Sequence, residues 1–187
     1  MSTIQTPRLQ IRLLTKRDAP NLHEAVVETM EQLLPWMSWA ESYRTGGVEV
    51  AEKFIENAFL DAQKESEWHF GLWAQEKLIG VVALMRFDRH NQSIEIGYWC
   101  RTSEQKKGFV TEAVNALTRF ACENLAVKRV ILVCRNENVK SAAVAERLQF
   151  ILEQVGPYEG DTNPQATYRF YVHEKNREMP ALIVSWA

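Results

Sequence analysis

The stretch from Ile94 to Val114, I-E-I-G-Y-W-C-R-T-S-E-Q-K-K-G-F-V-T-E-A-V, reads as a strand, a short polar loop with one glycine, and a helix. That order of elements can hold a phosphate. Gln105-Lys106-Lys107-Gly108-Phe109-Val110-Thr111 leads into the helix, whose first amide N–H groups lack intrahelical acceptors and, with the helix dipole, favour an anion. Gly108 removes the Cβ that would keep a pyrophosphate from the backbone, and Lys106 and Lys107 add positive charge. The same residues would also make a plain strand-to-helix loop with two solvated lysines. Neither the P-loop nor the three-glycine dinucleotide pattern fits, so nucleotide-hydrolase and dehydrogenase readings lose their main support.

The preceding strand alternates strictly. Ile94, Ile96 and Tyr98 point to one face as ordinary core, while Glu95, Gly97 and Trp99 point to the other. A carboxylate, a position without a side chain and an indole then lie within roughly 13 Å at about 3.3 Å per residue, a pattern that can line a cleft. Glu95 also has a plainer reading, as a surface carboxylate paired across strands with a basic residue.

The flanking sequence supplies the elements that must position these groups. Arg8 to Leu14 alternates as a strand, and Thr15 to Asp18 offers capping residues for a helix to about Thr29 that turns Leu22, Ala25, Val26 and Met30 inward. Leu33 to Trp39 follows, where Pro35 breaks helix and Trp36, Met37 and Trp39 present apolar surface, either lining a substrate pocket or packing over a core edge. Val50, Phe54, Ile55, Ala58, Phe59 and Ala62 repeat at helical spacing through about Glu65. Residues 68–74, 78–87 and the Glu95 strand form an antiparallel meander, with His69 either a half-exposed strand residue or a polar group at a cleft wall.

From Thr111 onward Val114, Leu117, Phe120 and Ala121 make one apolar stripe, with Glu112, Asn115, Arg119 and Glu123 opposite. Arg129 to Cys134 is nearly continuously apolar, the pattern of a strand covered on both faces, so strand, helix and strand form a parallel crossover. Ligands favour the carboxyl ends of such strands. Asn138 can cap a helix running through Phe150, with Ser141 in its first turn. Residues 150–155 and 166–173 give two more strands joined by a loop rich in glycine and proline.

The chain as a whole bounds these readings. Its 187 residues suit one domain spanning 1–187, and 46% hydrophobic with 25% charged residues is the composition of a soluble globular protein. No apolar run approaches a membrane span, and the first residues have no secretory pattern, so a cytoplasmic location is expected. Twenty-two basic against 24 acidic residues, without a basic stripe, disfavour nucleic acid. Cys100, Cys122 and Cys134 are odd in number and, like the four scattered histidines, show no metal-ligand spacing. Reduced thiols and no metal are expected.

Taken together, the Glu95 strand, Q-K-K-G-F-V-T-E-A-V, the apolar strand after it and N-V-K-S-A-A-V-A-E-R-L-Q-F resemble the Gcn5-related N-acetyltransferase (GNAT) superfamily. I-E-I-G-Y-W at 94–99, L-P-W-M-S-W at 34–39 and Asn138-x-x-Ser141 resemble its RimJ/RimL branch most. The likeness covers most of residues 7–155. It implies an α/β (α+β) fold with a mixed sheet of about seven strands, splayed between two parallel strands and flanked by helices. Acetyl-coenzyme A would lie in the splay with its pyrophosphate on the loop of residues 105–111. The chain departs from the family pattern at Val110 and Gln149, where small residues are usual, and at Ala145, where many members carry a tyrosine acid.

The resemblance implies an acetyl-CoA-dependent N-acetyltransferase acting by direct attack in a ternary complex. The acceptor would be a primary amine, first of all the N-terminal α-amine of a protein or peptide. Such an amine is largely protonated near neutral pH, and Glu95 acting through water would take its proton. A backbone N–H near Trp99 or Cys100 would stabilise the oxyanion. Ser141 would be the acid toward the leaving thiolate, or else a first-turn serine satisfying backbone. Asn138 would hold the pantetheine, and Trp36, Trp39 and His69 the acceptor. Alternatives are a small-molecule amine acceptor, or a non-catalytic acyl-CoA-binding module. A homodimer is compatible with the likeness, and the apolar residues 181–187 are either an added strand or a partner contact.

Overall fold

The computed structural model describes residues 3–159, 161, 163 and 165–186. Nine strands form one sheet in the order β7-β8-β6-β5-β4-β3-β2-β1-β9. They are β1 (Ile4–Gln5), β2 (Gln10–Leu13), β3 (Trp68–Ala74), β4 (Lys77–Asp88), β5 (Ser93–Cys100), β6 (Arg129–Arg135), β7 (Ile151–Gly156), β8 (Tyr168–Glu174) and β9 (Ser185–Trp186). Among the described residues β5 and β6 are the one parallel pair; every other neighbour is antiparallel. The helices are α1 (Ala19–Leu33), α2 (Ser42–Thr45), α3 (Val48–Gln63), α4 (Phe109–Asn124) and α5 (Val139–Arg147). The expected meander of β3, β4 and β5 and the crossover from β5 through α4 to β6 are both present.

Strand alternation divides the apolar residues between two cores. Phe70, Leu72, Val82, Leu84, Ile94, Ile96, Val130 and Leu132 pack with α4 and α5 on one face. Trp73, Leu78, Val81 and Trp99 pack with α1, α2 and α3 on the other. α1 begins where Asp18 accepts from the Thr15 amide and hydroxyl at 2.7 and 2.9 Å and from a forked Arg12 at 2.7 and 2.9 Å. Leu22, Ala25, Val26 and Met30 point inward as the periodicity requires.

Four local readings of the sequence are corrected. β6 is covered on one face only: Val130, Leu132 and Cys134 are buried, whereas Ile131, Val133 and Arg135 are partly open. Phe59 of α3 faces solvent, the buried side being Ala51, Ile55 and Ala58. Glu112 and Asn115 of α4 are buried because the chain ends cover them. Glu112 accepts from Thr6 Oγ1 at 2.6 Å and from the Arg8 amide and guanidinium, and the Asn115 amide donates to the Pro180 carbonyl at 2.9 Å. Residues 181–186 lie against the chain's own sheet, with β9 pairing β1 and Trp186 edge-on to Phe120 at 5.9 Å. Finally α5 stops at Arg147 rather than Phe150.

The end of α5 gives the departure at Gln149 its physical meaning. Gln149 has φ +61°, a left-handed conformation, and its N–H donates to Glu146 O while that of Phe150 donates back to Ala145 O. A glycine adopts this turn without strain, whereas a side chain there costs roughly 1–2 kcal/mol. Gln149→Gly is therefore expected to raise the unfolding free energy by about 0.5–1 kcal/mol after the added freedom of the unfolded chain is discounted, as read by urea denaturation.

Candidate active site

β5 and β6 pair over only three steps, Ser93 with Arg129, Ile94 with Val130 and Glu95 with Ile131. Beyond Glu95 each strand stays held on its outer side, β5 by β4 through Gly80 and β6 by β8 through Tyr168, so the sheet opens between them. The Arg101 N–H donates to Ile79 O at 2.7 Å, which fixes the parity of the β4–β5 ladder. By alternation the Trp99 main-chain groups face β4, and those of Tyr98 and Cys100 face the gap. Of the two expected oxyanion donors, the structure turns Cys100 N–H toward the opening and Trp99 N–H away from it.

Across the gap stands the start of α5. The Asn138 side chain caps it, accepting from the Ser141 N–H at 3.2 Å. The Tyr98 hydroxyl reaches over from β5 and donates to the Ser141 carbonyl at 3.1 Å. The Ser141 hydroxyl itself has no hydrogen-bond partner among the described residues, so the backbone of this turn is satisfied without it. Tyr98 is partly buried, and loss of solvation pushes its phenol well above the usual range. Sequence reasoning passed over this residue because it counted as plain core.

The loop of residues 105–111 lies past the end of β5. Gly108 has φ +82° and its carbonyl accepts from Glu112 N–H at 3.1 Å, leaving the amides of Phe109, Val110 and Thr111 without intrahelical acceptors. Gln105 is tied down through its amide nitrogen to Gln32 at 2.7 Å and to Cys100 O at 3.2 Å. Part of the loop's positive charge is taken up within the fold. The Lys107 ammonium is paired with Glu104 at 2.7 Å, and Lys77 meets the same carboxylate at 2.8 Å. Arg8 also reaches the loop, donating to Lys107 O at 2.8 Å and lying over the Phe109 ring at 4.8 Å, while itself pairing with Glu112. Arg8 is a hundred residues away in sequence, and nothing local marked it.

On the face toward α1 and α3, the register aligns His69, Ala83 and Gly97 in one row and Met85 beside Glu95 in the next. The open position at Gly97 is partly filled, since a Cβ there would meet the Met85 methyl at 2.7 Å. Trp99 is buried in the wall and packs on Trp39 at 6.4 Å between centroids. Trp39 stays 43% exposed and, with Tyr43, Val50, Lys53, Phe54 and Asn57, lines a depression of about 440 Å³. His69 contacts Phe54 edge-on at 5.2 Å, and its Nε2 is 3.4 Å from Glu67. Trp36 is exposed and takes part in no aromatic contact among the described residues.

Glu95 sits at the narrow end of the gap. Its Oε2 accepts from the Tyr158 hydroxyl at 2.9 Å, and Arg86 Nε is 3.8 Å from Oε1. Loss of solvation raises the carboxyl above its ordinary range; Tyr158 and Arg86 pull it back and the nearby Glu67 adds to the rise. Among the described residues no group of histidine, cysteine, aspartate or glutamate side chains could hold a metal. Among the described residues no helix is long and apolar enough to cross a membrane.

The acetyltransferase (GNAT) domain family matches residues 8–151. The chain belongs to this family. This acetyltransferase is 31% identical over 149 residues to YdaF of Bacillus subtilis (strain 168), whose name describes a ribosomal N-acetyltransferase, covering 78% of the chain and 79% of the relative. It is 26% identical over 145 residues to the ribosomal-protein-serine acetyltransferase of Escherichia coli (strain K12), covering 78% and 80%. Among solved structures, RimL in complex with coenzyme A superposes with a TM-score of 0.84 at 22% identity, over 93% of this chain and 98% of that one, a likeness of fold. The microcin self-immunity acetyltransferase MccE, in complex with acetyl-CoA and AMP, gives 0.82 at 25% identity over 90% and 93%.

The loop geometry yields a test of its own. Gly108→Ala puts a side chain on a left-handed residue and brings its Cβ to 3.3 Å from Arg8 Nη2. The variant is expected to lose about 1 kcal/mol in urea unfolding. Unchanged stability would mean that the loop relaxes freely.

Proposed function

We propose that the protein transfers acetyl from acetyl-CoA to the N-terminal α-amine of a protein, with a ribosomal protein the acceptor class that the relatives' names support. The observation that carries this reading is the opened β5–β6 pair, with main-chain groups facing the gap at one end, free helix amides at the other and a desolvated carboxylate beside it. A thioester with a diphosphate fits that arrangement. The diphosphate would take the Phe109, Val110 and Thr111 amides, with Gly108, Gln105, Lys106 and Lys107 framing them, and the pantetheine would run past Asn138. That MccE is solved in complex with acetyl-CoA supports the choice of co-substrate.

Each role then follows from position. The acceptor amine approaches from the face that bears Trp39 and His69, and its nitrogen attacks the acetyl carbonyl carbon. The proton lost from nitrogen passes through water to Glu95, whose Oε1 is left open by Tyr158. The Cys100 N–H bonds the oxyanion, a donor placed where the charge develops and worth roughly 3 kcal/mol. The carbon–sulfur bond breaks, and the Ser141 hydroxyl donates to the departing sulfur. Ser141 suits the role because its hydroxyl is not spent on the backbone and Ala145 offers no acid. A cytoplasmic location agrees with such an acceptor.

A second reading has one specific observation behind it. Glu67 is near enough to Glu95 to disfavour its charge, and a second carboxylate beside the site suits a cationic small amine; MccE is a fold neighbour named for self-immunity to a microcin. The acceptor panel decides between the two. Thiol release from acetyl-CoA should be fastest with peptides bearing a free α-amine, and blocking that amine should abolish it. Faster turnover of polyamines or aminoglycosides would replace the acceptor assignment.

Two substitutions test the roles. Glu95→Gln should lower kcat/KM about 100-fold or more while leaving coenzyme affinity intact by calorimetry. Ser141→Ala should lower kcat by roughly tenfold with little change in KM. A value of kcat/KM within about twofold of wild type for the first, or an intact kcat for the second, removes that residue from the chemistry.

A further inference from the structure

Glu95 has a partner from the far side of the splay. Tyr158 belongs to the segment between β7 and β8, on the β6 half of the sheet, yet its hydroxyl donates to Glu95 Oε2 on β5 at 2.9 Å. Its ring is held on three sides: Tyr168 at 5.1 Å and Phe170 at 6.2 Å between centroids, and the Arg86 guanidinium from β4 at 4.6 Å. Tyr168 is itself fixed, donating to Asp161, which also pairs with Arg135 at 2.7 Å. Arg86, in turn, stands 3.8 Å from Oε1. A phenol so constrained presents its O–H to one carboxylate oxygen and leaves the other open.

We propose that Tyr158 is the positioning residue for the base: its fixed hydroxyl holds Glu95 in its ionised form and turns Oε1 toward the acceptor, so that the two halves of the opened sheet complete the site together. The proposal rests on Glu95 being the base. The physical need is plain in the surroundings. Burial disfavours the charged carboxylate, and Glu67, from the start of β3, repels it; Arg86 from β4 and Tyr158 from the β7–β8 segment are the groups that face it with opposite effect. Arg86 does so from beyond hydrogen-bond distance and with a half-exposed side chain, which water screens. The hydrogen bond from Tyr158 to a charged acceptor is the stronger of the two holds.

Tyr158→Phe keeps the ring and its stacking and removes only the hydroxyl. The carboxyl carbon of Glu95, assigned by comparison with Glu95→Gln, is followed by carbon-13 NMR as pH is varied. The expected result is a titration midpoint about one pH unit higher in Tyr158→Phe than in wild type, and kcat/KM below that midpoint reduced roughly tenfold. Arg86→Gln is the second variant and should raise the midpoint less. An unmoved midpoint in Tyr158→Phe, with coenzyme A still bound at wild-type affinity, overturns the proposal. If the midpoint moves but Glu95→Gln retains full activity, the base assignment fails instead.

Discussion

The site exists because a parallel ladder is cut short. Three paired steps hold β5 to β6 at their beginnings, and the outward pulls of β4 and β8 then carry the two strands apart. Main-chain N–H and C=O groups left without a ladder partner are costly unless something else bonds them. The protein meets part of that demand from within, with Gln105 on the Cys100 carbonyl and Tyr98 bracing β5 against the Ser141 carbonyl. What is left along the gap is a set of directed donors that an amide-bearing, thioester-bearing ligand can satisfy.

From that opening the labour divides by face. The side packed on α4 and α5 would take the anion, since α4 begins just past the end of β5 and its first amides cannot be used internally. The side packed on α1 and α3 would take the acceptor, where sheet register sets His69 and Glu95 in neighbouring rows and Trp39 packs on Trp99. Burial works against the charge of Glu95, and the molecule answers with a phenol and a guanidinium from two other elements. Chain ends serve the fold in the same manner. Thr6 and Arg8 occupy Glu112 at the first turn of α4, and Pro180 occupies Asn115 further along, so the helix is clamped at both points.

Periodicity made much of this legible. The alternation around Glu95, the single glycine of the loop and the apolar run of β6 were enough to order strand, loop, helix and strand, and the combined motifs pointed to the family. Residues whose role depends on distant chain crossing were not legible. Arg8 and Tyr158 carry no local pattern, and their partners are remote in sequence, whereas Arg86 fits the cross-strand basic partner that Glu95 allowed. Glu112 and Asn115 looked solvent-facing on the helix because the covering segments are remote in sequence. The apolar run of β6 could not reveal that one of its faces is left partly open, since the same residues would suit a strand buried twice. Nine strands rather than about seven appear because β1 and β9 are two residues each, too short for alternation to register. Gln149 shows the converse: a family glycine is missing, yet the backbone keeps the glycine-like turn and bears the strain.

The most direct measurement is residue-resolved amide hydrogen exchange by NMR with and without saturating acetyl-CoA. The account predicts slowed exchange at Tyr98, Cys100, Phe109, Val110 and Thr111, and little change at Gly97 and Trp99, whose amides already face β4. Slowing confined to the depression beside Trp39 and Phe54, with the gap and the helix start unchanged, would contradict it.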